Sequence, residues 1–318
     1  MRQLARGGDY LTATIGRVPV VVTRDDDGEL HGLVNVCRHR AHEVAQGAGN
    51  RKTLQCPYHG WTYNLDGSLR AAPRADRELD FDKSELGLLN VRVARWGPFV
   101  FANLDASAPA LDAVLGGIPE LMSSYRFDFS RLEHRKRIVY ELATNWKVYV
   151  ENSIECYHCP VAHSGLTSVV EMDPDVYKLT AADFVMTHES RLRNKVGDEP
   201  GPLLERPKDI PEFQFYYVWP SFMIAPSPNR LWVGVFEPLD ENSTRVVTDF
   251  YFGDGFHDEV VEESIAFSDQ VLTEDKALVE SVQRGLRSGR VVHGRLLPQS
   301  ETLVRHFQQL VLAGLTDE

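Results

Sequence analysis

The chain has 318 residues, of which 43% are hydrophobic, 25% charged and 10% aromatic. These values are ordinary for a globular protein and exclude a disordered, collagen-like or coiled-coil chain. The net charge of −12 argues against nucleic acid or an anionic membrane as a partner, because both attract basic surfaces. No apolar run approaches the roughly 18 residues that a membrane-spanning helix needs. We therefore expect about two domains and a cytoplasmic location.

Two short segments in the N-terminal third each contain one cysteine and one histidine. Cys37 and His39 lie in the first segment, and Cys56 and His59 in the second. Runs of β-branched residues and turn residues flank both segments, which predicts two hairpin loops in a small antiparallel module. Two thiolates and two imidazoles suit either one tetrahedral zinc ion or a [2Fe–2S] cluster with cysteines on one iron and histidines on the other.

The sequences Cys-Arg-His-Arg from Cys37 and Cys-Pro-Tyr-His-Gly-Trp from Cys56 resemble the Rieske domain of the Rieske-type non-haem iron oxygenases. The resemblance implies that both cysteines, together with His39 and His59, hold a [2Fe–2S] cluster. One departure is Ala41, which stands where the family commonly has glycine. The first loop must therefore adopt a backbone angle that alanine tolerates.

A second group of potential ligands lies between residues 145 and 163. Asn145 can cap a helix, and apolar side chains at helical spacing predict that this helix runs to His158, with His163 shortly after it. Two imidazoles and one distant carboxylate would form a facial triad that leaves three positions on an iron ion open. The His-x4-His spacing resembles the mononuclear iron site of the same oxygenases, which implies that His158 and His163 bind iron.

Four residues around His158 need separate interpretation. In the family, an acidic residue at the position of Glu155 bridges an iron-ligating histidine and a cluster histidine of the neighbouring subunit, and the resemblance gives Glu155 this electron-transfer role. Aspartate is commoner there, and the longer glutamate resembles members that act on quaternary amines. Asn152 matches a position near the iron, where it supports the site or contacts substrate. Cys156 and Cys159 could form a redox or zinc pair, but we predict that they pack as small apolar side chains.

The third iron ligand is expected on a helix predicted over residues 256–287. Related oxygenases have a Glu-Asp segment ahead of a Gln-x-Gly-Leu element, with the aspartate as ligand, and a similar pattern is present here. We therefore predict Asp275 as the ligand. Asp269 and Glu274 are the alternatives, because the sequence does not determine the helical phase to one residue. A solvated acidic helix face is the remaining interpretation.

The fold class predicted is α+β, with an N-terminal all-β Rieske domain at residues 1–108 and a catalytic domain at residues 109–318. Strand-rich sequence over residues 213–252, followed by the predicted helix, resembles the helix-grip catalytic domain of the family, an antiparallel sheet with flanking helices. Aromatic side chains in these strands could line a cavity for an arene or for a trimethylammonium group, and the sequence does not choose between them.

The resemblance implies the terminal component of a Rieske mono- or dioxygenase, with a mononuclear non-haem Fe(II) and O2 as co-substrate. Such an enzyme hydroxylates, dihydroxylates or oxidatively demethylates a small organic substrate, here an aromatic ring, as in aromatic hydrocarbon catabolism, or a quaternary amine. Electrons are expected from a separate NAD(P)H-dependent reductase, directly or through a ferredoxin, and the family implies a head-to-tail homotrimer. The alternatives are an electron-transfer protein with a non-catalytic second domain and a zinc-binding scaffold.

Overall fold

The computed structural model describes residues 2–124, 128–193, 211–227, 229–291 and 293–316. The chain divides into two compact units, Met1–Leu111 and Asp112–Glu318. We predicted a Rieske domain at residues 1–108 and a catalytic domain at residues 109–318, and the boundary between them stays a prediction.

The first unit is built from antiparallel strands and short 3-10 turns. Its strands are β1 (Asp9–Ile15), β2 (Val18–Arg24), β3 (Leu30–Val34), β4 (Ala48–Asn50), β5 (Leu54–Gln55), β6 (Thr62–Tyr63), β7 (Leu69–Ala71), β8 (Asn90–Trp96) and β9 (Phe99–Asn103). The larger sheet has the order β4-β1-β2-β3-β8-β9, and the smaller has the order β5-β6-β7. The 3-10 turns are Arg2–Leu4, Ala75–Arg77 and Lys83–Glu85. The prediction of an all-β first domain is confirmed.

The core of the first unit contains side chains from both sheets. Val21 and Leu33 come from the larger sheet, and Leu54 and Tyr63 come from the smaller one; all four are fully buried. Strand β2 forms because its Val-Pro-Val-Val-Val-Thr-Arg sequence is rich in β-branched residues, which pack well on a pleated surface. Cys37 and Cys56 belong to the same core, so each predicted Cys–His loop is anchored in it through its cysteine.

The second unit contains one large antiparallel sheet with helices before, between and after its strands. The elements are α1 (Leu111–Leu115), α2 (Ile118–Ser124), a 3-10 turn (Phe129–Arg131), β10 (Glu133–Leu142), α3 (Trp146–Ser153), α4 (Cys159–Ala162), α5 (Ser164–Val169), β11 (Lys178–Ala182), β12 (Val185–Ser190), β13 (Phe213–Val218), β14 (Phe222–Ser227), β15 (Arg230–Asp240), β16 (Ser243–Phe252), α6 (Asp258–Arg287) and α7 (Thr302–Thr316). The strand order is β10-β16-β15-β14-β13-β12-β11, which confirms the predicted antiparallel sheet with flanking helices.

Helices α3, α6 and α7 pack on the apolar face of this sheet and share one core with it. The buried core side chains are Leu142, Tyr149, Val150, Ile154, Met186, Tyr217, Met223, Phe236, Val246, Val279, Leu303, Val304 and Phe307. Most of the aromatic residues predicted in the strands belong to this core or pack against it. None of the described helices is both long enough and apolar enough to cross a membrane.

Helix α3 ends earlier than predicted. Asn145 caps it as expected, since its side chain accepts a hydrogen bond from the N–H of Lys147 at 3.0 Å. The helix stops at Ser153, so the prediction of one continuous helix to His158 is wrong. The Glu155 carboxylate accepts hydrogen bonds from the N–H groups of Tyr157 and His158. Such local side-chain bonds compete with helical hydrogen bonding and favour a turn.

Candidate metal centres

The two Cys–His loops of the first unit have the same backbone hydrogen bonds. The carbonyl oxygens of Cys37 and Cys56 accept from the N–H groups of Ala41 and Gly60, respectively, at 3.0 Å in each loop. Ala41 and Gly60 both have positive φ angles, of 55° and 73°. A left-handed conformation costs a non-glycine residue about 1–2 kcal/mol. The first loop therefore keeps the glycine-type turn despite its alanine.

The four predicted cluster ligands lie together, with the thiols inside and the imidazoles outside. Cys37 and Cys56 are free and only 3% and 2% exposed, whereas His39 and His59 are exposed. The two imidazole ring centroids are 4.5 Å apart, and His39 stacks on Trp61 at 5.1 Å. Paired soft thiols facing paired imidazoles are the donor set of a Rieske [2Fe–2S] cluster, so the residues present fit that group.

Tyr63 makes a contact to this site that was not expected from the sequence. Its hydroxyl lies 3.3 Å from Cys37 Sγ and accepts a hydrogen bond from the N–H of Arg38 at 3.1 Å. Hydrogen bonds to the sulfur atoms of a cluster are one way in which a protein adjusts its reduction potential. The pattern Cys-x2-His-x3-Tyr around Cys56 is the sequence signal that could have indicated this tyrosine.

In the second unit, the structure brings His158, His163 and Asp275 together. The two Nε2 atoms are 3.1 Å apart, and Asp275 Oδ1 lies 3.1 Å from His163 Nε2 and 3.5 Å from His158 Nε2. Donors bound about 2.1 Å from one metal ion lie about 3.0–3.4 Å from each other. The spacing therefore fits the three protein ligands of a single ion, and a two-His-one-carboxylate set is the donor set of non-haem Fe(II) oxygenases.

The outer nitrogen of each imidazole faces a carboxylate. His158 Nδ1 contacts Glu155 Oε1, and His163 Nδ1 lies 2.7 Å from Glu274 Oε2. Gln270 holds the other oxygen of Glu274 with a hydrogen bond of 2.9 Å. A carboxylate on Nδ1 holds the proton there and turns Nε2 toward the metal position.

Asp275 is a buried acid on the core-facing side of α6. Asn152 donates a hydrogen bond of 2.6 Å to Asp275 Oδ1, the same oxygen that faces both histidines. Burial alone would raise the pKa of the Asp275 carboxyl, but hydrogen bonds from His158, His163 and Asn152 outweigh burial and hold this pKa below its usual value. The carboxylate is therefore ionised, as a metal ligand must be.

The pKa values of the two histidines shift in the opposite direction to that of Asp275. Burial alone would lower the pKa of His158, but the carboxylates of Asp275 and Glu155 raise it to about 9. For His163 the carboxylates of Asp275 and Glu274 likewise outweigh burial and raise the pKa. Positive charge is thus favoured between these carboxylates, which is the electrostatic condition for binding a cation.

The alternative third ligands lie in different environments. Asp269 accepts a hydrogen bond from the hydroxyl of Tyr140. Glu274 contacts the outer nitrogen of His163 rather than the inner one. Asp275 has an oxygen within 3.5 Å of both inner nitrogen atoms, so its geometry favours it over the other two acids.

The prediction for Cys156 and Cys159 is wrong, because the structure joins them in a disulfide. Their Cα atoms are 4.9 Å apart, within the usual range for a disulfide. Cys156 lies in the turn between α3 and α4, and Cys159 is the first residue of α4; the N–H of Cys159 donates to the carbonyl of Cys156 at 3.3 Å. We predicted apolar packing because we expected both cysteines to lie on one continuous helix. That helix is not present, since α3 ends at Ser153.

Comparison with protein families matches both units. Residues 1–93 match the Rieske [2Fe-2S] domain, and residues 129–316 match the catalytic domain of the ring hydroxylating alpha subunit. This chain belongs to the Rieske-type oxygenase alpha subunits. The oxygenase is an oxidoreductase, and its two domain families imply a [2Fe–2S] cluster, a mononuclear iron and O2 as co-substrate. The match to a catalytic domain speaks against a non-catalytic second domain and against a zinc scaffold.

Two groups of relatives cover nearly all of this oxygenase. Chloroplastic choline monooxygenase of Beta vulgaris is 33% identical over 312 residues, which span 96% of this chain and 68% of the relative. The carnitine monooxygenase oxygenase subunit of Acinetobacter baumannii is 32% identical over 320 residues, spanning 97% of this chain and 85% of the relative.

Solved structures agree with these relatives. A quaternary ammonium Rieske monooxygenase superposes with a TM-score of 0.82 at 32% identity, covering 98% of this chain and 86% of that one. Naphthalene 1,2-dioxygenase from Rhodococcus superposes with a TM-score of 0.69 at 21% identity, covering 89% of this chain and 74% of that one. The second similarity is one of fold alone.

Proposed function

We propose that this oxygenase oxidises a small quaternary ammonium compound as a monooxygenase, with electrons from a separate reductase. The observation that carries the oxygenase site is the convergence of His158, His163 and Asp275 within 3.5 Å of one another. The substrate class is supported by choline and carnitine monooxygenases among the relatives, each covering at least 96% of this chain. Glutamate rather than aspartate at Glu155 agrees with that class.

We assign the cluster to Cys37, His39, Cys56 and His59. Their arrangement supports the assignment, because both thiols are buried and both imidazoles lie at the surface. When bound, this cluster passes electrons one at a time. The exposed imidazole edge is the side on which an electron acceptor or donor could approach the cluster.

We assign the mononuclear iron to His158, His163 and Asp275. When bound, this iron activates O2, because three protein ligands leave positions open for O2 and substrate. Asn152 acts here as a positioning residue, since its amide holds Asp275 Oδ1 in place at 2.6 Å. Glu274 does the same for His163, by holding the proton on Nδ1 at 2.7 Å.

Glu155 is proposed as the electron-transfer bridge to the cluster of a neighbouring subunit in a homotrimer. Its Oε1 already contacts His158 Nδ1, and its side chain is 12% exposed. The adjacent Tyr157 is 61% exposed. A carboxylate on an iron-ligating imidazole, close to the surface, supports the assignment. Light scattering of the purified protein measures the mass, and a monomer would remove the basis for an inter-subunit bridge.

The substrate class is tested with iron- and cluster-loaded protein and a surrogate reductase. We expect O2 uptake coupled to product formation with choline, carnitine or related trimethylammonium compounds. The matched control is the neutral carbon isostere of each compound, with a tert-butyl group in place of trimethylammonium, because it keeps the shape and removes the charge. Coupled turnover with naphthalene or benzoate, and none with the cations, would contradict the proposal.

Anaerobic iron and sulfide analysis tests the cofactor assignment separately. We expect three iron atoms and two sulfides per chain, as a [2Fe–2S] cluster and one further iron require. Two iron atoms and no turnover would indicate an electron-transfer protein. The cytoplasmic location stays a prediction, and the Beta vulgaris relative is described as chloroplastic.

A further inference from the structure

The Cys156–Cys159 disulfide lies beside the mononuclear metal site and encloses one of its ligands. The two cysteines flank His158 in the sequence, and the disulfide closes the turn that presents this histidine. Cys159 is 3% exposed, whereas Cys156 is partly exposed. Disulfides in reducing compartments are rare, and those that do occur are usually catalytic or redox-sensing. A functional role for this pair is therefore worth testing.

The two sulfur atoms have different surroundings. Cys159 Sγ lies 3.9 Å from His158 Nε2, the nitrogen that faces the metal position. The donor atoms of His158, Cys159 and His163 all lie within 4.8 Å of one another, close enough for one metal ion. Cys156 Sγ lies instead against the sulfur of Met172, at 3.8 Å.

The position of Cys159 can be compared with the geometry of a metal–thiolate bond. With metal–nitrogen bonds of about 2.1 Å and metal–sulfur bonds of about 2.3 Å, a tetrahedral site holds its sulfur and nitrogen donors about 3.6 Å apart. The observed 3.9 Å between Cys159 Sγ and His158 Nε2 is a few tenths of an ångström longer. In the disulfide this sulfur is bonded to Cys156. Reduction of the disulfide would allow the Cys159 side chain to rotate toward the metal position.

We propose that the Cys156–Cys159 pair is a redox gate on the mononuclear metal site. The disulfide withholds the Cys159 sulfur from the metal, and reduction releases a thiolate that binds the metal as a fourth protein donor. This inference rests on the proposed assignment of His158, His163 and Asp275 as metal ligands.

The reduction is an ordinary thiol–disulfide exchange with a dithiol. One thiolate of the dithiol attacks the more accessible sulfur, Cys156 Sγ, and the S–S bond breaks with Cys159 as the leaving thiolate. The second thiol of the dithiol then resolves the mixed disulfide and frees Cys156. The dithiol is oxidised to its own disulfide, and two electrons and two protons pass to the pair. One proton is released again when Cys159 binds the metal as a thiolate.

The fourth donor would change what the site can bind. Three protein ligands leave three positions on an octahedral iron ion, and a thiolate would occupy one of those needed for O2 and substrate. Thiolate is also a soft ligand, which favours zinc over Fe(II) at the same site. The oxidised pair therefore corresponds to the open site, and the reduced pair to the restricted one.

The test uses cluster-loaded protein in which zinc replaces the mononuclear iron. X-ray absorption at the zinc edge does not detect the cluster iron, so it reports only this site. A phosphine reductant opens the disulfide with water and becomes the phosphine oxide, and it adds no competing sulfur ligand. We expect nitrogen and oxygen neighbours alone in the oxidised protein, and one additional sulfur neighbour at about 2.3 Å after reduction.

Two single variants form a matched pair. Both Cys156→Ser and Cys159→Ser lack the disulfide, but only the first retains the sulfur beside the metal. We expect a zinc–sulfur neighbour in Cys156→Ser without any reductant, and none in Cys159→Ser with or without it. Zinc should also protect Cys159, and not Cys156, from alkylation in the reduced wild-type protein, as peptide mass mapping can show.

The outcomes separate this inference from the proposed function. Zinc bound without sulfur in both the reduced wild-type protein and Cys156→Ser would overturn the gate and leave the three-ligand assignment in place. Failure of the wild-type protein and of both variants to bind zinc or iron would overturn both. Thiols that stay free at Cys156 and Cys159 after treatment with a disulfide oxidant would also overturn the gate.

Discussion

The two proposed metal sites of this oxygenase are built in different ways. The four proposed cluster ligands lie at residues 37 to 59, on two loops with matching backbone hydrogen bonds. The proposed mononuclear ligands are far apart in the chain, since Asp275 lies 112 positions after His163. Side-chain carboxylates rather than backbone groups orient both imidazoles there.

The difference follows from what each centre does. A cluster that only passes electrons can be held in local turns, with buried thiols as its anionic ligands. An iron that must bind O2 needs open positions, so few protein ligands remain to hold it. The surrounding carboxylates then supply the missing negative charge and fix the orientation of the imidazoles. Variants should therefore separate the two centres.

The largest effect is expected at Asp275. Asp275→Ala removes the carboxylate that both inner nitrogen atoms face, so the chain should lose its mononuclear iron. Its activity should decrease by more than about 100-fold, because loss of a hydrogen-bond partner of a ligand alone costs 10- to 100-fold. The visible spectrum and the reduced EPR signal of the cluster should remain. Iron analysis and coupled O2 uptake measure both effects.

Two controls make this result specific. Asp269→Asn lies on the same helix and should retain the iron, because Asp269 contacts Tyr140 instead. Cys37→Ser should give the reverse pattern, with loss of the cluster and retention of one iron. If Asp269→Asn loses the iron and Asp275→Ala keeps it, the third ligand has been assigned to the wrong acid.

A buried histidine should make the second unit sensitive to acid. Burial lowers the pKa of His188 to about 4 from 6.5, and its Nδ1 lies 2.8 Å from the hydroxyl of Tyr177. Below pH 6.5, His188 binds a proton in the unfolded chain, whereas in the folded chain it stays neutral until the pH approaches 4. The free energy of unfolding should therefore decrease by about 3 kcal/mol between pH 6.5 and 4, at 1.36 kcal/mol per pH unit, and be unaffected by His188 above pH 6.5.

Urea unfolding followed by far-ultraviolet circular dichroism at several pH values measures this dependence. His188→Gln cannot titrate, so its stability should decrease less steeply over the same pH range, whatever its stability at neutral pH. His257→Gln replaces an exposed histidine and should keep the wild-type slope. Equal slopes in all three proteins would show that His188 is not buried in its neutral form.

A smaller effect is expected at the outer partner of His163. Glu274→Gln removes the negative charge from Nδ1 while keeping the shape of the side chain, so the affinity for iron should decrease about 10- to 100-fold. Competition with a chelator measures this affinity, and the cluster should again be unaffected. Gln270→Ala removes only the hydrogen bond to Glu274 Oε1 and should have a smaller effect than the charge change.

The smallest effect is expected in the cluster loops, where two opposite substitutions test one turn geometry. Ala41→Gly should increase the free energy of unfolding by about 0.5–1 kcal/mol, because glycine accepts the positive φ without a Cβ clash. Gly60→Ala should decrease it by about 1 kcal/mol for the same reason, with the added Cβ 3.4 Å from Pro73 Cγ. Denaturant midpoints of the cluster-loaded proteins measure both, and changes of the same sign would contradict the shared geometry.

The amino-acid sequence was sufficient for the features that depend on local spacing. The hairpin loops with Cys37 and Cys56 follow from neighbouring turn residues and β-branched runs, and helix α6 follows from its apolar periodicity over 30 residues. The strands over residues 213–252 follow likewise from their sequence pattern. The loops, the helix and these single strands depend on interactions between residues close in the chain, which is the information that a local pattern contains. The pairing of β10 with β16 does not, because it joins residues more than 100 positions apart.

Other features became visible only in three dimensions. The sequence does not determine the phase of a long helix to one residue, and only packing places Asp275, rather than Glu274, against both inner nitrogen atoms. The end of α3 at Ser153 depends on a carboxylate that takes the place of helical hydrogen bonds, and the Cys156–Cys159 disulfide depends on that turn. The sequence alone thus determined which side chains could bind metal. Tertiary packing decided which atoms face each other, because it sets the directions of side chains that are distant in the chain.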